Sequence, residues 1–215
     1  IAADTGGNIW RINVDYTDAT TNPNNSTSSW TIDKVASLGA TSGQNARKFL
    51  GTPDVVVAST SGIPVPYDSI LIGSGDREQP FDESIINRFY MIKDEHLLTY
   101  RYTTALTESD LFDTTDNLIQ QGDDDEKVEA TTDMNNADGW YITLGAGEKV
   151  DGPATTLSGA TFFGTNTPFD GDNSCVGNLG TAKAYAISYL SGGAVIHLDG
   201  NVGDPLNVDD RSQVI

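Results

Sequence analysis

The stretch Asp68-Ser-Ile-Leu-Ile-Gly-Ser-Gly-Asp-Arg-Glu-Gln-Pro80 decides how the rest of the chain is read. An apolar strand, Ile70-Leu-Ile72, runs directly into a glycine pair, and an Asp-Arg-Glu cluster closed by proline follows. Glycines in that place serve a phosphate cradle, an active-site loop or a strand corner. A P-loop needs a lysine after its last glycine, whereas Asp76 and Glu78 repel phosphate. A dinucleotide fingerprint needs a third glycine opening a helix, and Gln79-Pro80-Phe81 stands there instead. A nucleophile elbow reads Gly-x-Ser-x-Gly, which Gly73-Ser74-Gly75 does not. What remains is a corner where glycines let backbones approach closely, with Arg77 expected to be buried and paired to a carboxylate of a neighbouring strand.

Outward from this corner the pattern is β almost throughout. Ile9-Trp-Arg-Ile-Asn-Val14 and Trp30-Thr-Ile-Asp-Lys-Val35 alternate apolar and polar residues, as strands with one buried face do. Val55-Val-Val-Ala58 and Ile70-Leu-Ile72 are continuous apolar runs, which predicts strands covered on both faces. Phe89-Tyr-Met-Ile92, Trp140-Tyr-Ile-Thr-Leu144, Thr161-Phe-Phe163, Tyr185-Ala-Ile-Ser-Tyr189 and Val195-Ile-His-Leu198 complete the set. Thr5-Gly-Gly-Asn8, Ser158-Gly159 and Ser191-Gly-Gly193 each separate two such runs and supply the positive φ of tight hairpins. Lys93-Asp-Glu-His96 reads as a fourth, looser one. Short strands joined by hairpins without intervening helices make an all-β meander, which closes as a sandwich, barrel or propeller.

One segment departs from this rhythm. Leu106 to Asp138 holds eleven acids and a single base, Lys127, so more than half of the formal net charge of −19 sits there. Thr107-Glu-Ser-Asp110 has the form of a capping box, Leu111, Phe112, Leu118 and Ile119 recur at seven-residue spacing, and Gly122 supplies a stop. The expectation is one short helix near 107–121 followed by an acidic loop from Asp123 to Asp138, together an insertion in a single segment spanning 1–215. The acidity is carried by 24 Asp against 7 Glu, and Asp favours turns and caps. So negative a surface repels nucleic acid and anionic lipid, and no apolar run reaches the ~18 residues of a membrane helix. Ile1-Ala-Ala-Asp4 reads as a strand already under way and Val214-Ile215 ends without punctuation, so a piece of a longer, exported chain is expected.

The residues select no catalytic or cofactor-binding constellation, and no metal ligand is assigned. His96 and His197 are the two histidines, neither with a second His or Cys at ligand spacing, so zinc or iron catalysis is not expected. The lone Cys175 reads as a small apolar residue. Calcium is the one cofactor with candidates, because its ligands are oxygens. Asp170-Gly-Asp-Asn-Ser-Cys-Val-Gly-Asn178 and the run from Asp199 through Asn201 and Asp204 to Asp210 are partial loops. The first lacks the position-6 glycine and the final bidentate acid, and the second has Gly203 where position 5 should donate. Trp10, Trp30 and Trp140 lie in strand runs, where packing between sheets is the common fate and sugar stacking the alternative.

Asp4-Thr-Gly-Gly-Asn-Ile-Trp-Arg-Ile12 resembles the Asp-x-x-Gly-Asn-x-Trp-Arg strand pair of the PilY family of type IV pilus biogenesis and tip proteins. Later features follow in a similar order: Arg47-Lys-Phe-Leu50, Pro53-Asp-Val-Val56, the Ile70–Pro80 corner, Leu106-Thr-Glu-Ser-Asp-Leu111, Gly139–Leu144, Gly147-Glu-Lys-Val150 and Gly164–Pro168. The resemblance implies part of a carboxy-terminal modified β-propeller, about three blades by length. It also implies a non-enzymatic protein outside a Gram-negative cell, on the surface or pilus tip. Its partners would be minor pilins, the pilus machinery or an external surface. Some members bind calcium through Asp-x-Asn/Asp-x-Asp-x-x-x-Asp, which neither partial loop satisfies, and the Arg-Gly-Asp tripeptide of others is absent. The rival readings are a fragment of a quinoprotein-type dehydrogenase propeller, using quinone and calcium, and a carbohydrate-binding β domain using Trp30 or Trp140.

Overall fold

The computed structural model describes residues 1–13, 30–59, 66–95, 102–169, 180–200 and 202–215. Val14, His96, Cys175, Asn201 and the whole 170–178 loop lie outside them. The described residues are mostly β, in three sheets, none closed into a barrel. The first comprises β1 (Ala2–Ala3), β2 (Asn8–Asn13) and β3 (Thr31–Ser37), in that order. The second takes β4 (Asp54–Ala58), β5 (Tyr67–Gly73), β6 (Arg88–Asp94), β7 (Phe112–Asp113) and β8 (Gly139–Thr143), in the order β4-β5-β6-β8-β7. The third holds β9 (Lys149–Val150), β10 (Thr155–Leu157), β11 (Ala160–Thr167), β12 (Thr181–Ser188) and β13 (Ser212–Val214). All pairings are antiparallel except β7 with β8.

The second sheet is the middle layer. Ile70, Ile72, Tyr90 and Ile92 turn one way, against Ile9, Val35, Ala36 and Phe49. Leu71, Phe89 and Met91 turn the other way, against Phe163, Tyr185 and Ile187 of the third sheet. This is why β5 and β6 read as continuous apolar runs: alternate side chains enter two different cores. Val55-Val-Val-Ala58 does not follow suit. Val55 and Val57 are exposed, because β4 is the edge strand and the first sheet packs over β5 and β6 instead.

The Gly73–Gly75 corner joins the second sheet to the third. A Cβ on Gly73 would collide with the Val150 side chain, and one on Gly75 would lie 2.7 Å from Val150 O. Between them Ser74 N–H donates to Arg88 O and Val150 N–H donates to Ser74 O. The glycines therefore serve close backbone approach, as expected. Gly73→Ala overpacks this crossing and lowers stability by about 1–3 kcal/mol; a denaturant midpoint unchanged from wild type would refute the role given to Gly73.

Three further expectations are corrected. Val195–Leu198 is not a strand. The Ser191–Gly193 turn makes one bridge, Ile187 to Ala194, and β13 takes the place beside Lys183–Tyr185. Thr107 caps only a 3-10 turn, Glu108–Asp110, and Phe112 enters β7 rather than a helix. The expected short helix is reduced to α1 (Leu118–Gln121), ended by Gly122, and the expected acidic loop is the helix α2 (Asp124–Asn136). Asp123 caps α2, accepting from Glu126 N–H while the Glu126 carboxylate accepts from Asp123 N–H. Acids crowded at a helix N-terminus meet free amides and the positive end of the dipole, so the charge run favours this helix.

Candidate functional site

Each letter of the first hairpin has a task. Asp4 Oδ1 accepts from the amides of Gly6 (2.8 Å) and Asn8 (3.0 Å), and Oδ2 accepts from the Trp10 indole N–H at 2.8 Å. Burial alone would raise the Asp4 pKa, but the donors from Trp10, Asn8 and Gly6 outweigh it and hold the carboxyl below its ordinary value. Gly7, at φ 74°, lies against the Gly39 backbone. Arg11 then reaches into the second sheet, where Asp68 and the buried Asp94 stand directly opposite each other on β5 and β6. Two facing carboxylates repel, and the guanidinium between them turns that repulsion into a tie between sheets.

Arg77 is exposed and makes no ion pair among the described residues, against expectation. Lys48 pairs with its neighbour Asp76 instead, at 2.6 Å. The buried arginine beside this corner is Arg47. It donates to Ile86 O (2.6 Å), Leu38 O (3.3 Å), Asn45 Oδ1 (2.9 Å) and Glu108 Oε1 (2.5 Å). Glu108 also pairs with Arg88 at 2.5 Å and accepts from Tyr90 OH at 2.6 Å. One carboxylate thus seats the start of the acidic insertion on the middle sheet.

At the far end of the insertion Lys93 grips the end of α2. Lys93 Nζ on β6 donates to Met134 O (3.0 Å), Asn135 O (3.1 Å) and Ala137 O (2.6 Å). These are last-turn carbonyls of α2, which has no basic residue of its own there. Burial lowers the Lys93 pKa, opposed by the charges of Glu95 and Asp138. Ala130 is the one buried residue of α2, and Asp124, Asp125, Glu129 and Asp133 face solvent. The result is an acidic rod on a rigid base.

A second cluster lies near the carboxy-terminal strand. His197 Nδ1 is 3.1 Å from Oδ1 of the fully buried Asp210, and ligand atoms of His197, Asp199 and Asp210 all lie within 4.8 Å of one another. Asp199 and Asp210 are the ends of the second partial loop, which the fold does bring together. His197 was legible only as a lone histidine, since it stands two residues before the partial loop and none of that loop's ligand positions includes it. Of the tryptophans, Trp140 is fully buried, its Nε1–H donating to Leu190 O at 3.1 Å, so it offers no platform for a sugar. Trp30 is about half exposed, at 46%. No helix among the described residues is long and apolar enough to cross a membrane.

No family model matches the chain, and no curated protein does. Among solved structures, the C-terminal domain of Pseudomonas aeruginosa PilY1 aligns with 99% of this chain at a TM-score of 0.62 and 15% identity. The fold is that of the PilY1 C-terminal domain. The chain spans about half of that domain's length, 51%. The PilY-type resemblance read from the ordered motifs and the likeness in three dimensions point to the same domain, although so few identities make the likeness one of fold.

Proposed function

We propose that this chain is a non-enzymatic component of type IV pilus biogenesis and surface attachment that acts by binding. In this reading the three stacked sheets are consecutive blades of a modified β-propeller lying outside the cell. Minor pilins or other pilus machinery, or an external surface, contact loops and insertions on those blades. The observation that supports it most is the PilY1-like fold over nearly the whole chain. The acidic face of α2, anchored at both ends of its insertion, is the contact surface we assign, suited to a partner with a basic patch.

The immobilised chain is expected to capture purified minor pilins of its own organism. Changing Asp124, Asp125 and Asp133 to Asn and Glu129 to Gln weakens that capture, and raising salt weakens the wild-type complex in the same direction. Melting falls by no more than a few degrees, because these side chains are exposed and only Asp124 and Asp125 act on the helix N-terminus. Capture that is absent, or indifferent to both charge and salt, refutes the assignment of α2. Alcohol oxidation by the chain with quinone and calcium, or glycan binding lost on Trp30→Ala, would replace the pilus reading with an enzymatic or a carbohydrate-binding one.

A further inference from the structure

We propose that His197, Asp199 and Asp210 bind a divalent transition metal ion of the zinc type, closing the 199–210 loop. The donor set is one imidazole nitrogen and two carboxylates, all within 4.8 Å of one another. That mixture suits zinc, which takes three protein ligands and a water, better than calcium, which takes six to eight oxygens. Two donors on one tetrahedral zinc stand roughly 3.4 Å apart, from bonds of about 2.0–2.1 Å. His197 Nδ1 and Asp210 Oδ1 already have nearly that separation, at 3.1 Å. Asp199 is exposed, so its carboxylate closes the remaining gap without disturbing a packed core.

The buried ligand is preset by its surroundings. Asp210 Oδ2 accepts from Asn207 N–H at 3.0 Å. The adjacent Arg211 sends its guanidinium away from Asp210, to Thr114 O at 2.7 Å and Thr115 O at 2.8 Å. These contacts fix the turn that carries Asp210 while leaving Oδ1 directed at His197, the outer-shell support a metal ligand needs. Metal binding replaces the His197–Asp210 hydrogen bond and leaves the ring proton on Nε2. The ion would tie the 197–199 segment to the turn preceding β13, and this holds whether or not the pilus reading does.

The chain is stripped with chelator, titrated with zinc against a chromophoric competitor, and melted with and without zinc or calcium. Wild type is expected to bind one equivalent, with saturating zinc raising Tm by roughly 5 °C or more. His197→Gln and Asp199→Asn each weaken zinc binding about tenfold or more. Asp199 is exposed, so Asp199→Asn stays close to the wild-type unliganded Tm, whereas His197→Gln lowers it because buried Asp210 loses a partner; the zinc-induced rise is therefore read against each variant's own baseline. Zinc binding that is absent, or undiminished in both variants, overturns the site. A calcium response larger than that to zinc and abolished by Asp199→Asn overturns the choice of metal.

Discussion

Arg47→Ala is expected to lower stability by about 3–5 kcal/mol, from two buried carbonyls left without a donor at about 1–3 kcal/mol each and from the cavity left by a large side chain. Arg47 is 1% exposed, and its donors serve acceptors in different segments: Ile86 O, Leu38 O, Asn45 Oδ1 and Glu108 Oε1. Alanine leaves the two carbonyls without donors in a space that water does not readily refill. Glu108 keeps Arg88 and Tyr90, so the loss falls mainly on the loop that carries Arg47 and on Leu38. Thermal melting should show a fall in Tm on the order of 10 °C. Arg47→Lys recovers little of it, because an ammonium cannot reproduce the spread of guanidinium donors. A Tm for Arg47→Ala within a degree or so of wild type would show that the network is dispensable.

Glu148→Ala has the next largest expected effect, about 3 kcal/mol. Glu148 is 1% exposed and stands at the foot of a column of rings, Phe89 on Phe163 at 3.9 Å and Phe163 on Tyr185 at 4.5 Å. Its Oε1 accepts from Tyr185 OH (2.8 Å) and Thr165 Oγ1–H (2.6 Å), its Oε2 from Gly145 N–H (3.0 Å) and Lys183 Nζ (3.2 Å). Burial would raise its pKa, but Thr165, Tyr185, Lys183 and the Gly145 amide together bring it below the ordinary value of 4.5. A depressed folded pKa means that the contribution is complete above the unfolded value and is lost as pH falls through the folded one. The stability gap between wild type and Glu148→Gln should therefore be constant at neutral pH and shrink below about pH 4.5. Relief of the general acidic repulsion acts on both proteins alike and cancels in this difference. A gap that widens with acid would contradict the sign.

Strands with a periodic or continuous apolar pattern were legible in the sequence because burial writes itself into side-chain type at every second residue. The Gly73–Gly75 corner was legible for a related reason: eliminating phosphate and nucleophile motifs leaves close approach as the use of glycine. Helix α2 was not, since it buries little beyond Ala130 and so has no apolar stripe to read. Its signal lies in the Asp123–Glu126 capping box, of the same form as the Thr107–Asp110 box. Arg77 and Arg47 could not be told apart by type, because which arginine is buried depends on where Leu38, Ile86 and Glu108 arrive in space. His197 and Asp210 likewise meet only through the turn that Arg211 pins, a contact with no local spacing to betray it.

The two clasps on the insertion divide it into parts with different histories open to them. Glu108 and the short β7 are built into the middle sheet and must stay if that sheet is to stay. Helix α2 rests on Lys93, on Ala130 and on the partly buried Met134, so nearly all of its surface is released from any duty to the core. Surface substitutions away from packed side chains and caps cost little, so the exposed positions of α2 other than its cap can be exchanged or recharged while Ala130 and Met134 stay apolar. In evolutionary terms the helix is an interchangeable head on a fixed mount: lineages can diversify what they touch without renegotiating how they fold.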